Sequence, residues 1–518
     1  MKGQFILAHD LGTTGDKATL FDEEGNLLAN SFGAYPTSYP QINWAEQNPE
    51  YWWKAFCQST GELLKKARIP ASEIACVCFS GQMMGCLPVD RKGRPLRKAI
   101  IWADQRGEQQ ADKIREKLGE ESVYITTGHR ISPSYSAAKI MWVKEQEPKV
   151  FEQAHKFLQA KDYIIFKLTD SWVTDYSDAS GTNLFDLKKK CWSSPLLEAA
   201  GLSPEILPQP HLSTDIAGEV LARVVEETGL ASGTPVVIGG GDGLCASVGA
   251  GSVKEGIAYG YVGSSAWIAC TSRVPVYDSQ RRTGTFCHLI PDMYMPHGSM
   301  QTAGGSYQWL KENICLAEAF QSKRISLSPY EIMNLEAKDA GAGAGNLIFL
   351  PYLMGERSPY WNPLAKGAFI GLTLTHKRSH LIRAVLEGVV FNLYYILEIL
   401  QAQIPFFKEV RAIGGAARSV IFRQIMADVF ARPIPRPLLM EEATSLGAAI
   451  AGGVGMGIFK SFAAAEKVVK IVETQEPNHT LREEYGGLYE VFKQCYEVLI
   501  PVYRNLASLD KSRGLDRG

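Results

Sequence analysis

One device occurs twice in this chain and limits what it can fold into: two short apolar runs joined by a turn of glycines and hydroxyls. Phe5 to Ala8 and Ala18 to Phe21 read as paired strands, with His9-Asp10-Leu11-Gly12-Thr13-Thr14-Gly15-Asp16-Lys17 between them. Ile257 to Val262 and Ala266 to Cys270 repeat the pattern around Gly263-Ser264-Ser265. A chain that builds the same hairpin in each half is expected to hold two related α/β domains facing each other across a cleft. Its 518 residues also predict two or three domains. A single doubly wound sheet with a long insertion is the other architecture the pattern allows.

Between the two hairpins, Val236 to Ile238 reads as a buried strand that runs into Gly239-Gly240-Gly241-Asp242-Gly243 and then into small residues able to start a helix. Glycines let a backbone turn sharply and a ligand come close. A lone carboxylate there either caps the helix or faces water, a metal or a substrate. The first hairpin turn offers backbone N–H groups and the hydroxyls of Thr13 and Thr14 to a phosphate, with Lys17 as a point charge. It is not a Gly-x-x-x-x-Gly-Lys-Ser/Thr loop, because no helix follows; the plainer alternative is a tight hairpin turn.

Ile74 to Phe79 is a further strand, ending in Ser80-Gly81-Gln82-Met83-Met84-Gly85, and open α/β sheets place ligands at such strand ends. Ala99 to Arg106 ends in Trp102, Asp104 and Arg106. An indole can pack on the apolar face of a small polyol while Asp104 accepts its hydroxyls; a surface salt bridge is the alternative. Helices are expected from Tyr51 to Ala67, from Ser134 on, over Lys161 to Leu168 as an amphipathic one, and up to Phe430 after Gly414-Gly415. Another begins near Glu441 and is rich in small residues that allow close packing.

Lys and Arg number 54 against 55 Asp and Glu, so no basic excess points to nucleic acid or an anionic membrane, and small ligands are expected. Ten scattered cysteines without zinc spacing suit a reducing cytoplasm. The longest weakly polar stretch noted, Leu446 to Phe459, is below membrane-spanning length. The polar tail after Leu506 is expected to fray.

From Asp10 to beyond Gly447 the chain resembles the FGGY carbohydrate kinases, of the actin, Hsp70 and hexokinase superfamily. Ser134-Tyr135-Ser136-Ala137-Ala138-Lys139-Ile140-Met141-Trp142-Val143-Lys144-Glu145-Gln146 fits the first signature of that family. Gly367 to Leu372, with His380-Leu381 and Ala384 to Glu387, fits the second. The resemblance implies two ribonuclease-H-like domains, 1–245 for the sugar and part of the phosphate site and 246–518 for the nucleotide. It implies an ATP- and Mg²⁺-dependent kinase, cytoplasmic and homodimeric.

Ser80 to Gly85 and Leu350 to Pro359 are similar to xylulokinase motifs, which implies phosphorylation of D-xylulose to D-xylulose 5-phosphate. Met84 stands where that motif usually has His, and Gly243 where it commonly has Asn. Both departures remove polar contacts, which leaves ribulose, erythritol, glycerol or fuculose-type acceptors as alternatives. A non-catalytic actin-like nucleotide sensor is the alternative from another class. On this reading Asp242 is the general base, and Asp10 and Asp242 hold Mg²⁺ through water. Gln82, Met83, Met84, Trp102 and Asp104 line the sugar pocket with Asp242. Gly12, Thr13, Thr14 and Lys17 hold the outer phosphates from one side, and Gly263 and Ser264 from the other. Gly304, Gln308, Gly414, Gly415 and Ser419 form the adenosine side.

Overall fold

The computed structural model describes residues 4–404 and 407–512. Its first half is built on a six-stranded sheet. The strands are β1 (Phe5–Leu11), β2 (Gly15–Phe21), β3 (Leu27–Ala34), β4 (Ile74–Gly81), β5 (Ile216–Glu219) and β6 (Pro235–Gly241), in the order β5-β6-β4-β1-β2-β3. The second half carries five strands, β7 (Ile257–Val262), β8 (Ala266–Cys270), β9 (Gly284–Cys287), β10 (Tyr294–Met300) and β11 (Glu409–Ile413), in the order β9-β10-β8-β7-β11. Each sheet centres on a hairpin, β1–β2 or β7–β8, whose first strand has a parallel neighbour on its other side, β4 or β11. The repeated hairpin is therefore the repeated core of two sheets.

β1 and β4 are buried almost throughout, because helices cover both faces of their sheet. On one face lies α1 (Pro49–Ala67). Asn48 caps it by accepting the Glu50 N–H at 3.1 Å, and Pro49 occupies its first turn, where a missing N–H costs nothing. The other helices that bear on the site are, in chain order, α2 (Ser136–Gln146), α3 (Ala160–Thr169), the short α4 (Tyr176–Ser180), α5 (Asp242–Gly249) and α6 (Gly304–Asn313). They are followed by α7 (Arg378–Gln401), α8 (Val420–Phe430), α9 (Ala443–Gly455) and α10 (Arg482–Ser512).

The covering helix on the other face is α9, which comes from the second half of the sequence yet lies across β1, β4 and β6. Glycines make this possible. A Cβ on Gly447 would stand 1.8 Å from the Cys245 carbonyl oxygen, and one on Gly249 1.8 Å from that of Ala443, so α5 and α9 touch backbone to backbone. Further along, Gly452 rests on the Cys78 and Cys76 sulfurs of β4. Gly447→Ala forces this contact apart and is expected to destabilise the protein by about 1–3 kcal/mol, read as a lower urea midpoint.

Three expectations need correction. Helix α3 is not amphipathic: every residue from Ala160 to Phe166 is buried, Lys161 and Asp162 included, because these charges pair inside the protein. The chain is still helical past Leu506, since α10 continues to Ser512, although its stripe packed on the second core ends at Tyr503 and the tail from 513 to 518 lies outside the described residues. The most membrane-like stretch is α7, which is long and apolar enough to span a bilayer, but 78% of its apolar window is buried as the central helix of the second half.

Candidate active site

The carboxylates singled out from sequence stand at the ends of two parallel strands that flank a third. Asp10 lies near the end of β1, and Asp242 starts α5 directly after β6, with β4 between them. Asp10 is held by two hydroxyls: Ser80 Oγ donates to Oδ1 at 2.8 Å and Thr444 Oγ1 to Oδ2 at 2.6 Å. Burial raises its carboxyl, and those hydroxyls and Lys17 pull the other way. Thr444 belongs to α9, so the second half of the chain grips the first half's carboxylate.

Asp242 is held more loosely. Its Oδ1 accepts the Gly243 N–H at 2.7 Å, and no other hydrogen bond from the described residues reaches the carboxylate. Burial, and then the charge of Asp10, push this carboxyl up to about 7. The helix start is braced from the second hairpin: Tyr259 donates its hydroxyl to the Gly243 carbonyl at 2.5 Å, and Trp267 Nε1 donates to that hydroxyl at 2.9 Å. A partly buried carboxylate with an uncommitted oxygen and a pKa near neutrality can take a proton from an alcohol.

The first hairpin turn is fixed from three sides. Tyr35 donates to the Gly12 carbonyl at 2.5 Å, Gln47 Nε2 to the Thr13 carbonyl at 2.7 Å, and Trp102 Nε1 to Thr13 Oγ1 at 2.9 Å. Thr14 sits at the bend between the strands. Lys17 pairs with Asp10 across the hairpin and donates to the Glu441 carbonyl at 3.0 Å, which ties the turn to the second half. Gln82 is buried and donates to the Gln47 amide oxygen at 2.8 Å and to the Gly12 carbonyl at 3.3 Å.

Met83 packs against Gly241 beside Asp242, where a Cβ would stand 2.5 Å from its sulfur. Met84 takes a left-handed backbone (φ 62°), and Lys139 holds its carbonyl at 2.8 Å. Burial brings that ammonium down to about 7.

Asp104 is the correction here. It is 0% exposed, and Arg106 folds back two residues later onto both of its oxygens while Ala45 N–H donates at 2.6 Å. The Arg106 guanidinium is in turn stacked 3.7 Å from the Trp44 ring centre. The salt bridge has taken the carboxylate out of reach of any sugar hydroxyl, and its role is to fix the strand end that carries Trp102.

In the second half, Gly263 and Ser264 form the turn between β7 and β8, and Gly304 opens α6 against it, its N–H donating to the Gly263 carbonyl at 2.9 Å. A Cβ at Gly304 would lie 2.4 Å from that same oxygen, so only glycine fits. Gly414 turns the chain after β11 with φ 86°, and Gly415 borders open space. Ser419 caps α8 by accepting the Phe422 N–H at 3.3 Å, and Gln308 pairs with Glu312 at 2.9 Å on the exposed side of α6. Their side chains are thus occupied by local structure.

Sequence reasoning missed Ser80, Thr444 and Arg357 as site residues. The first two carry a signal, a hydroxyl beside glycines at a strand or helix end. Arg357 stands 5.8 Å from the Trp102 ring centre, on the opposite half of the chain, and no carboxylate among the described residues pairs with it. Burial lowers its pKa, and Tyr135 and Glu356 partly restore it.

This arrangement matches known proteins along the whole length. Residues 5–249 match the N-terminal domain of the FGGY family of carbohydrate kinases, and residues 258–456 match its C-terminal domain. The chain belongs to the FGGY family. It is 33% identical to the gluconokinase of Bacillus subtilis (strain 168) over 513 residues, 99% of each chain. It is 31% identical to the xylulose kinase of the same organism over 494 residues, 95% of this chain and 97% of that one. The ligand-bound xylulose kinase of Lactobacillus acidophilus superposes with a TM-score of 0.90 at 27% identity, covering 97% of this chain and 99% of that one. As an FGGY member the chain is a sugar kinase with the two-domain actin- and hexokinase-like fold, and the family's phosphate donor is ATP.

Proposed function

We propose that this kinase transfers the γ-phosphoryl group of ATP to a hydroxyl of an open-chain sugar, with Asp242 taking the hydroxyl proton. The observation that carries this reading is the state of Asp242: partly buried, raised to about 7, and free at one oxygen beside the Gln82–Met84 strand end. Phosphoryl transfer asks little covalent chemistry of the protein beyond alignment, charge neutralisation and a dry site. Gly12, Thr13 and Thr14, with Gly263 and Ser264 opposite, supply backbone and hydroxyl donors for the phosphates. Gly415 borders open space for the nucleoside, and Gly304 and Gly414 set the turns around it.

Two partly buried carboxylates, one of which raises the proton affinity of the other, fit a divalent cation held through water, and Asp10 and Asp242 would hold it. Mg²⁺ bound there would neutralise phosphate charge.

D-Xylulose is the first acceptor to test, on the strand-end motif and the xylulose kinase relatives. D-Gluconate is the second, and a specific observation favours it beside the gluconokinase relative. The unpaired guanidinium of Arg357 over Trp102 suits an anionic group on the acceptor. An ADP-release assay over D-xylulose, D-gluconate, ribulose, erythritol and glycerol decides. If gluconate is the acceptor, Arg357→Met should raise its KM by roughly 10-fold or more, the worth of one charge-assisted bond, and change little with a neutral sugar. Sugar-independent, peptide-stimulated ATP turnover would refute the kinase reading.

A further inference from the structure

Behind the two strand ends that carry the site lies a group of charges the catalytic reading does not use. Lys161 is 0% exposed, and its ammonium is ringed by three carboxylates: Asp162 at 2.9 Å, Asp175 at 3.0 Å and Asp178 at 2.8 Å. One cation among three acids in the interior is costly unless hydrogen bonds fix every member. Burial, with the neighbouring acids, raises the Asp178 carboxyl well above the usual range, and Lys161 pulls the other way. Asp175 accepts both the backbone N–H (2.8 Å) and the hydroxyl (2.5 Å) of Ser177.

Two hydrogen-bond chains leave this cluster, and each ends at the site. Ser177 Oγ accepts the N–H of Gly241 at 2.9 Å, the residue before Asp242. A Cβ at Gly240 would stand 2.9 Å from that hydroxyl and 3.3 Å from Asp175 Oδ2, so the strand end lies directly on the cluster. On the other side, Gln159 donates to the Asp178 carbonyl at 2.9 Å and accepts the N–H of Gly85 at 3.3 Å, at the end of the Gln82–Gly85 loop. The backbone of β4 also lies against it, since a Cβ at Gly81 would meet the Lys161 Cβ at 3.1 Å.

We propose that the buried Lys161–Asp175–Asp178 cluster is the common positioning element of the active site. Through Ser177 it sets the turn that aims Asp242, and through Gln159 the loop that lines the sugar. This rests on Asp242 acting as proposed above. Ser177 and Gln159 touch neither substrate; they are positioning residues, and their two effects separate kinetically. Ser177→Ala frees the Gly241 N–H and lets the carboxylate wander, so kcat falls while ATP affinity stays. Gln159→Ala loosens the loop, so the sugar KM rises while kcat stays.

The test uses the full chain with whichever of D-xylulose and D-gluconate it phosphorylates. In Ser177→Ala, kcat is expected to fall on the order of 10-fold, the cost of sub-ångström misplacement, with the ATP dissociation constant by calorimetry changed less than about twofold. Ser177→Thr, which keeps the hydroxyl at the same atom, should restore most of kcat. In Gln159→Ala the sugar KM should rise roughly 5-fold or more with kcat retained. Unchanged kcat in Ser177→Ala overturns the proposal, as does a loss that tracks weakened ATP binding or a folded Thr variant that recovers nothing. Asp242→Ala, run alongside, separates the two claims: full turnover there refutes the base assignment, whatever Ser177 shows.

Discussion

Asp242→Ala is expected to lower sugar phosphorylation by about 10² to 10⁴ while ATP still binds, the usual worth of a positioned general base. The expectation follows from how differently the two carboxylates are held. Asp10 has a hydroxyl on each oxygen and a lysine across the hairpin, so it is suited to hold charge in place. Among the described residues Asp242 has one bond, to its own neighbour's N–H, and keeps an oxygen free to accept a proton. The phosphate turns and the glycines around Gly304 and Gly414 touch the chain elsewhere, so nucleotide affinity by calorimetry should change little. Turnover close to wild type would remove Asp242 from the mechanism.

The second large effect is on pH. The base must be ionised to act, and burial with the Asp10 charge lifts Asp242 from the ordinary 3.8 to about 7. The anion is the disfavoured form, so protonation sets in at a higher pH than for an exposed aspartate. Sugar kcat/KM should therefore fall as pH drops through 7, to about a tenth at pH 6 and about a hundredth at pH 5, with unit slope. A cation beside the carboxylates favours ionisation, so raising Mg²⁺ should move the limb to lower pH. A rate flat down to pH 5 at low Mg²⁺ would contradict the assignment.

Much of this was legible in the sequence because it is written in local patterns. Both hairpins, the strand into Gly239–Asp242 and the strand into Ser80–Gly85 are runs whose periodicity and glycines need no distant partner to interpret. What sequence did not show depends on contacts between remote segments. Asp104 read as an acceptor of sugar hydroxyls, with a surface salt bridge as the alternative, because nothing in Trp102-Ala103-Asp104-Gln105-Arg106 says that Arg106 folds back and is buried with it. Lys161 and Asp162 read as a solvated face because their partners lie at Asp175 and Asp178. Thr444 meets Asp10 across 434 positions of sequence, a distance no pattern spans.

The contact between α5 and α9 has a mechanical consequence. Glycine backbone rides on backbone at Gly249 and Gly447, so the contact has the form of a plain bearing whose rim is packed by Leu244, Val248, Leu446 and Ile450 in one apolar cluster. Rocking of one half on it would slide the glycines and shear that cluster at the same time. Thr444 sits on the shaft of that bearing and Asp10 on its housing, so any rocking motion is felt first as a tug on the hydroxyl that steadies the carboxylate. A single methyl at position 447 would then act as a brake as well as a wedge.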